Sequence, residues 1–166
     1  MLKELYGMKY DNNFVLFWTG ATPFSNFYKR AFSYKGYTLN YGEQAFMLEK
    51  ALMFDPSKVE AIVKANNPKD VKRLGRAVQN FDDNEWKARR YEVMKNVLRA
   101  KFSDAGLRQL LLSTGNRTLV EASPYDKIWG IGLSAEDPKV LNPNNWKGSN
   151  LLGEALMEIR AELQKN

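Results

Sequence analysis

The chain offers two carboxylates in settings where an acidic side chain could do chemistry. Glu43 opens the segment Tyr41–Phe54, which is otherwise apolar nearly all round. A carboxylate is costly to desolvate there unless it is paired, hydrogen-bonded or used, and a helix N-terminus favours its ionised form. Lys50 follows seven residues on, two helical turns along the same side, so an acid and a cation can border one pocket. Asp126 lies in Ser123-Pro124-Tyr125-Asp126-Lys127-Ile128-Trp129-Gly130, a loop dense in rigid and aromatic residues. Each carboxylate also has a plainer reading. Glu43 can be a first-turn acid satisfied by backbone amides, and Asp126 a turn-former.

The chain has no histidine and no cysteine. That excludes a Ser-His-Asp triad, a Cys nucleophile, a disulfide, and a metal held by imidazole or thiolate. Proton transfers must then fall to Asp, Glu, Lys or Tyr. No acidic cluster points to a Mg²⁺ site, and the expectation is that no cofactor or metal takes part.

Several residues have the chemistry to hold a flat ring or an anion. In Phe24-Ser25-Asn26-Phe27-Tyr28, Asn26 can hydrogen-bond a base edge or a ribose hydroxyl and Phe27 can stack, or the segment is an Asx turn with buried aromatics. Trp86 and Trp129 can stack on a ring or simply fill the core. Lys147-Gly148-Ser149-Asn150 runs into the last helical segment, where free amides and the positive end of the dipole can hold a phosphate. The plainer reading of that stretch is a glycine loop with an Asn cap.

The elements that must position these residues can be read coarsely. Phe32-Ser33-Tyr34 and Tyr37-Thr38-Leu39 flank Lys35-Gly36 and predict a β-hairpin. Tyr41–Phe54 predicts a buried helix ended by Asp55-Pro56. Ser57 and Glu60 have capping-box spacing for a short helix, and Asn67-Pro68 starts another. Asp83 is placed as the cap of a long helix to about Phe102, with Trp86, Val93, Val97 and Leu98 on its apolar stripe. Asp104 opens a helix that stops at Gly115. Thr118–Ala122 reads as a strand, and Asn150 as the cap of the final helix. The expected fold is α+β: a single, mainly helical domain over residues 1–166 with a small antiparallel sheet.

Composition sets the outer bounds. The 166 residues are 44% hydrophobic and 27% charged, with a net charge of +6 and a pI near 9.4. That balance suits a globular protein with anionic partners. No apolar run is long enough for a membrane span and no secretory signal is visible, which gives the expectation of a cytoplasmic protein without membrane partners.

Taken in order, Phe24–Tyr28, Glu43 within Tyr-Gly-Glu-Gln-Ala-Phe, Gly75-Arg76, Trp86, Leu98-Arg99-Ala100-Lys101-Phe102, the stretch LVEASPYDKIWGIG and Gly148–Gly153 with Leu156-Met157 and Arg160 resemble the YbiA-like, or NADAR, family. Where relatives often carry His beside the motif Glu, this chain has Gln44. The resemblance implies an N-glycosidase acting on ribosylated aminopyrimidine intermediates of riboflavin synthesis and releasing ribose 5-phosphate, a metabolite-repair activity. Two alternatives stand beside it. One is a hydrolase that removes ADP-ribose from base, nucleic acid or protein, the only reading with a nucleic-acid partner. The other is a nucleotide-binding module without turnover.

On the first reading, Glu43 or Asp126 faces the anomeric carbon and the other assists. Trp86 and Trp129 wall in or stack on the base, and Asn26 and Phe27 orient it. Arg76, Lys50 or the turn Gly148, Ser149, Asn150 holds the phosphate. The expected partner is a phosphorylated ribosyl or nucleotide-like small molecule, with no obligate protein partner.

Overall fold

The computed structural model describes residues 1–166 and divides into two compact units, Met1–Ser25 with Ala105–Asn166, and Asn26–Asp104. Both unit boundaries of the second fall at chain positions between regular elements, and each unit has its own secondary structure.

The discontinuous unit holds a four-stranded sheet in the order β1 (Lys3–Leu5), β2 (Met8–Tyr10), β3 (Phe14–Phe17), β6 (Thr118–Glu121). The first three strands are antiparallel neighbours, joined between β1 and β2 by Tyr6-Gly7, both at positive φ (51° and 77°). That is the mirror-image turn whose twist matches a tight hairpin. The last pair departs from the expected antiparallel sheet: β3 and β6 run parallel, with Val15 opposite Leu119 and Phe17 opposite Glu121. Parallel neighbours need a long crossover, and here the intervening chain includes all of Asn26–Asp104. Helix α5 (Ala105–Ser113) packs on α6 (Leu151–Gln164), and α6 on β6. Leu16, Val120, Ala122, Ile131, Leu133 and Val140 form a continuous apolar cluster beside the sheet. Arg160, 6% exposed, donates from a guanidinium nitrogen to Thr114 Oγ1 at 2.8 Å and fastens α6 to the end of α5.

The second unit is the hairpin β4 (Phe32–Tyr34)–β5 (Tyr37–Leu39) followed by α1 (Gly42–Phe54), α2 (Val59–Lys64), α3 (Pro68–Arg76) and α4 (Asp83–Lys101). Lys35 and Gly36 both take positive φ, 49° and 84°, as the predicted hairpin requires. The hairpin is tied to α1 through Glu49, which accepts from Tyr34 Oη at 2.5 Å and pairs with Lys35 Nζ at 2.8 Å. Burial and that carboxylate hold the Tyr34 hydroxyl far above its usual range. Helix α1 packs on α2, α3 and α4, which explains why its sequence is apolar nearly all round.

Three cap assignments change. Ser57 caps nothing: a 3-10 turn, Pro56–Lys58, precedes α2, and Ser57 Oγ donates to Asp55 Oδ1. The cap of α4 is Asp82, whose carboxylate accepts from Glu85 N at 3.0 Å, one residue before the predicted Asp83. Asn150 precedes α6 in a left-handed conformation and its side chain reaches away from the helix. The Asn67-Pro68 start of α3 is as predicted, with Asn67 Oδ1 accepting from Asp70 N at 2.9 Å.

Candidate active site

In the second unit the first turn of α1 brings Glu43 against the chain that enters it. Glu43 N donates to Asn26 O at 3.0 Å. Asn26 is 5% exposed; its Nδ2 points to Met94 Sδ at 3.6 Å, and its Oδ1 is buried without a hydrogen-bond partner. A buried amide oxygen left in that state is unusual in a native fold. It lies so close to Gly42 that a Cβ there would stand 2.7 Å from it. A side chain at position 42 would therefore have to displace the Asn26 amide.

Lys50, two turns along α1, is half-buried. Its ammonium donates to Gly75 O at 2.8 Å and stands 4.6 Å from the Phe81 ring centroid. Desolvation lowers its pKa, and the nearby negative charge of Glu43 opposes that shift. The spacing of acid and cation on α1 thus puts Lys50 within the field of the Glu43 carboxylate. Phe81, which the sequence did not single out, supplies an aromatic face to the cation.

The neighbouring candidates divide by exposure. Trp86 is 7% exposed and packed against Phe46 and Phe54, with centroids at 4.9 and 6.4 Å, so it serves as a wall and not as an open platform. Phe27 is half-buried with Lys72 Nζ 4.5 Å from its ring centroid. Arg76 is exposed in the last turn of α3. With Lys69, Lys72 and Arg73 it forms a basic stripe, because residues at i, i+3, i+4 and i+7 share a helix face. Gln44, at the position where the resemblance expects His, is 1% exposed. Its Oε1 accepts from Asn40 N, and its Nε2 lies within 3.1 Å of the carbonyls of Ile62, Val63 and Ala65. It is a structural tie between α1 and the end of α2.

The discontinuous unit holds Asp126, Trp129 and the turn before α6. Asp126 Oδ1 accepts from Ile128 N at 2.9 Å and from Trp129 N at 2.8 Å. Ser123 Oγ accepts from the amides of Tyr125 and Asp126. This is the geometry of the turn-forming reading, and it fixes the backbone at Trp129.

The structure engages most of the amides on which the phosphate reading of Gly148, Ser149 and Asn150 depends. The amides of Ser149, Asn150, Leu151 and Leu152 donate to the carbonyls of Lys127, Gly130, Ile128 and Trp129. Those four amides are not left to face an anion, and a helix N-terminus binds one through such donors. Gly148 serves instead for close packing: a Cβ there would stand 2.3 Å from Gly130 O. Asn150, 1% exposed, bridges β6 through Oδ1 to Glu121 N and Nδ2 to Leu119 O.

Charge separates the units. Asn26–Asp104 carries sixteen Lys and Arg against ten Asp and Glu, while the other unit carries nine against nine. The whole net charge of +6 therefore belongs to the unit that holds Glu43 and Lys50. No group of His, Cys, Asp and Glu could hold a metal ion, and no helix is long and apolar enough to cross a membrane.

Comparison with known proteins gives a consistent answer. The family model described as NADAR domain matches residues 16–164. N-glycosidase R617 of Acanthamoeba polyphaga mimivirus is 44% identical over 125 residues, 74% of each chain. The NMR structure of the Escherichia coli protein YbiA matches with a TM-score of 0.76 at 30% identity, covering 94% of this chain and 88% of that one. The chloroplastic riboflavin biosynthesis protein PYRR of Zea mays is 36% identical over 110 residues, 63% of this chain but 16% of that protein.

Proposed function

The chain belongs to the NADAR family and is a hydrolase of N-glycosyl bonds, and from that premise we propose that it cleaves phosphoribosylated aminopyrimidines of the riboflavin pathway, releasing ribose 5-phosphate. The observation that carries the site is the placement of Glu43 and the half-buried Lys50 two turns apart on α1, with Lys50 held by Gly75 O at 2.8 Å, within the unit that holds the protein's net positive charge. The similarity to the maize riboflavin protein supports the substrate class.

In the proposed reaction the bond from C1′ of the ribose to the base-like nitrogen breaks, and its electron pair leaves on nitrogen. Positive charge grows on the sugar, as in other glycosyl hydrolyses. The Glu43 carboxylate stabilises that charge and accepts the proton of the water whose oxygen bonds to C1′. The departing nitrogen takes up a proton. We assign that proton to Lys50, whose ammonium desolvation makes a stronger acid than an ordinary lysine. Asn26 and Phe27, on the chain that meets Glu43, orient the substrate, and Trp86 closes the wall. Arg76 and the basic stripe of α3 hold the phosphate, a role that passes to them from the turn at Gly148–Asn150. Asp126 orders the loop that carries Trp129. No step needs a cofactor.

The exposed row of four cations on α3 also suits a longer polyphosphate, which keeps the removal of ADP-ribose as a second reading. A substrate panel separates the two. Purified protein is incubated with phosphoribosylated aminopyrimidines and with ADP-ribosylated base, nucleic acid and protein, and products are followed by mass spectrometry. Free ribose 5-phosphate from the first group is the expected result. Free ADP-ribose alone would replace the substrate class. Release of neither by a folded protein would remove the hydrolase reading.

A further inference from the structure

We propose that the pocket between one face of β1–β3 and the end of α5 binds a short aliphatic carboxylate, with its tail inside and its head on Arg117. The pocket lies wholly within the discontinuous unit. It uses none of the residues given a role in the hydrolysis, so it does not rest on that reading. Strand alternation builds its floor. Leu5 stands opposite Met8, and Tyr10 opposite Val15. Met8 and Tyr10 are two residues apart on β2, so all four side chains share one face of the sheet. Leu110, Ser113 and Thr114 line the other side from the last turn of α5 and the residue after it, at the i, i+3, i+4 spacing of one helix side. Arg117 completes the pocket just before β6 begins.

The pocket encloses about 260 Å³, a little under the roughly 300–1,000 Å³ of ordinary small-molecule sites. Its floor is apolar and buried, with Met8 2% and Val15 3% exposed. Leu5, 45% exposed, makes part of the rim apolar as well. Such a surface takes a hydrocarbon chain out of water, and the small volume keeps that chain short.

The charge at the mouth selects the head. The hydroxyls of Ser113 and Thr114 donate to Leu110 O and Leu111 O, each at 2.6 Å. On the helix side that leaves Arg117 as the polar side chain not bonded to the protein. Its guanidinium carbon stands 5.4 Å from the Tyr10 ring centroid, and it forms no ion pair. Behind Thr114 is a second guanidinium with no acid. Arg160, 6% exposed, bonds through its side chain to Thr114 Oγ1 alone. Charges this buried are normally paired, and the unit has as many acids as cations, nine of each. Two arginines left without any of those acids make the mouth electropositive in a unit that is neutral as a whole. Ser113, Thr114 and Arg117 also border a polar cleft that holds Asn12, Asn13 and Asn116. Arg117 thus stands where an apolar pocket meets a polar cleft, the arrangement an amphipathic anion needs. A guanidinium can meet a carboxylate with two parallel hydrogen bonds.

Calorimetric titration with octanoate, octanol and acetate tests the assignment. Octanoate should bind, octanol about 10- to 150-fold more weakly, the range for one hydrogen bond to a charged group. Acetate, which has the head without the tail, should not bind measurably. Arg117→Gln should bring octanoate down to the affinity of octanol and leave octanol unchanged, and Arg117→Lys should recover part of the loss. Leu110→Trp should fill the pocket and weaken both chain-bearing probes. Thermal unfolding of the ligand-free proteins checks that each variant is folded. No binding of octanoate by wild type, or equal binding of octanoate and octanol, overturns the proposal. So does a folded Arg117→Gln or Leu110→Trp protein that keeps the wild-type affinity for octanoate. Turnover is not read, so the result is independent of the hydrolase assignment.

Discussion

In the proposed reaction Glu43 and Lys50 act together, and their spacing of seven residues is what places them on one side of a helix. The helical period puts both on one side of α1, and burial of the rest of that helix leaves them in a partly desolvated place. The two effects on Lys50 oppose each other: desolvation lowers its pKa, and Glu43 raises it by a smaller amount. The ammonium proposed as the acid is therefore lost below the usual lysine range as pH rises. The rate profile should fall on its alkaline side at a pH below 10.5, the ordinary lysine value. Lys50→Met should lower kcat about 10²- to 10⁴-fold, the usual span for a general acid, and remove that alkaline limb. A variant that keeps the wild-type profile would take Lys50 out of the reaction.

Glycine contacts set the tolerance of the elements in each unit. Gly148 meets backbone: a Cβ would stand 2.3 Å from Gly130 O and 2.7 Å from Lys127 Cα. Gly75 meets the flexible side chain of Met47, with Sδ at 2.1 Å and Cγ at 2.9 Å, and no backbone. Gly148→Ala should therefore cost stability of about 1–3 kcal/mol or more, as overpacking does, and Gly75→Ala distinctly less. Chemical denaturation of the two variants checks the order. The same residues show what sequence could and could not reveal. The helices, the Lys35-Gly36 hairpin and the Asn67-Pro68 start are local patterns and could be read from the chain. The β1–β2 hairpin had its signal in Tyr6-Gly7, but its strands are three residues each, too short for alternation to show. The parallel β3–β6 pairing joins residues about a hundred positions apart, and no local pattern encodes it. The turn at Gly148–Asn150 looked like an anion site because its sequence shows amides but not the carbonyls of Lys127–Trp129 and Gly130 that take them up. Glu43 and Lys50 were legible because both lie on one helix. Phe81 and the buried Asn26 oxygen depend on tertiary packing and were not.

At the scale of the whole molecule the charge is partitioned by unit, all of the net +6 lying in Asn26–Asp104. A phosphorylated substrate should feel that field, and a phosphate-free ribosyl analogue should not. KM for the phosphorylated substrate is expected to rise as salt is raised, because exposed charges are screened within about 10 Å at 0.1 M. Arg76→Ala should raise KM at low salt and flatten that dependence while changing kcat little. Equal salt dependence for the phosphorylated substrate and its phosphate-free analogue would separate the charge from the function.

The most direct test of the central claim is the rate of ribose 5-phosphate release from a phosphoribosylated aminopyrimidine by wild type and by Glu43→Gln. The amide keeps the size of the carboxylate and the backbone bond from Glu43 N to Asn26 O, so thermal unfolding should be unchanged. It removes the negative charge that stabilises the sugar cation. The account predicts a fall in kcat of about 10²–10³-fold or more, the scale on which loss of a transition-state electrostatic contact is felt. A folded Glu43→Gln protein that turns over at the wild-type rate would contradict it.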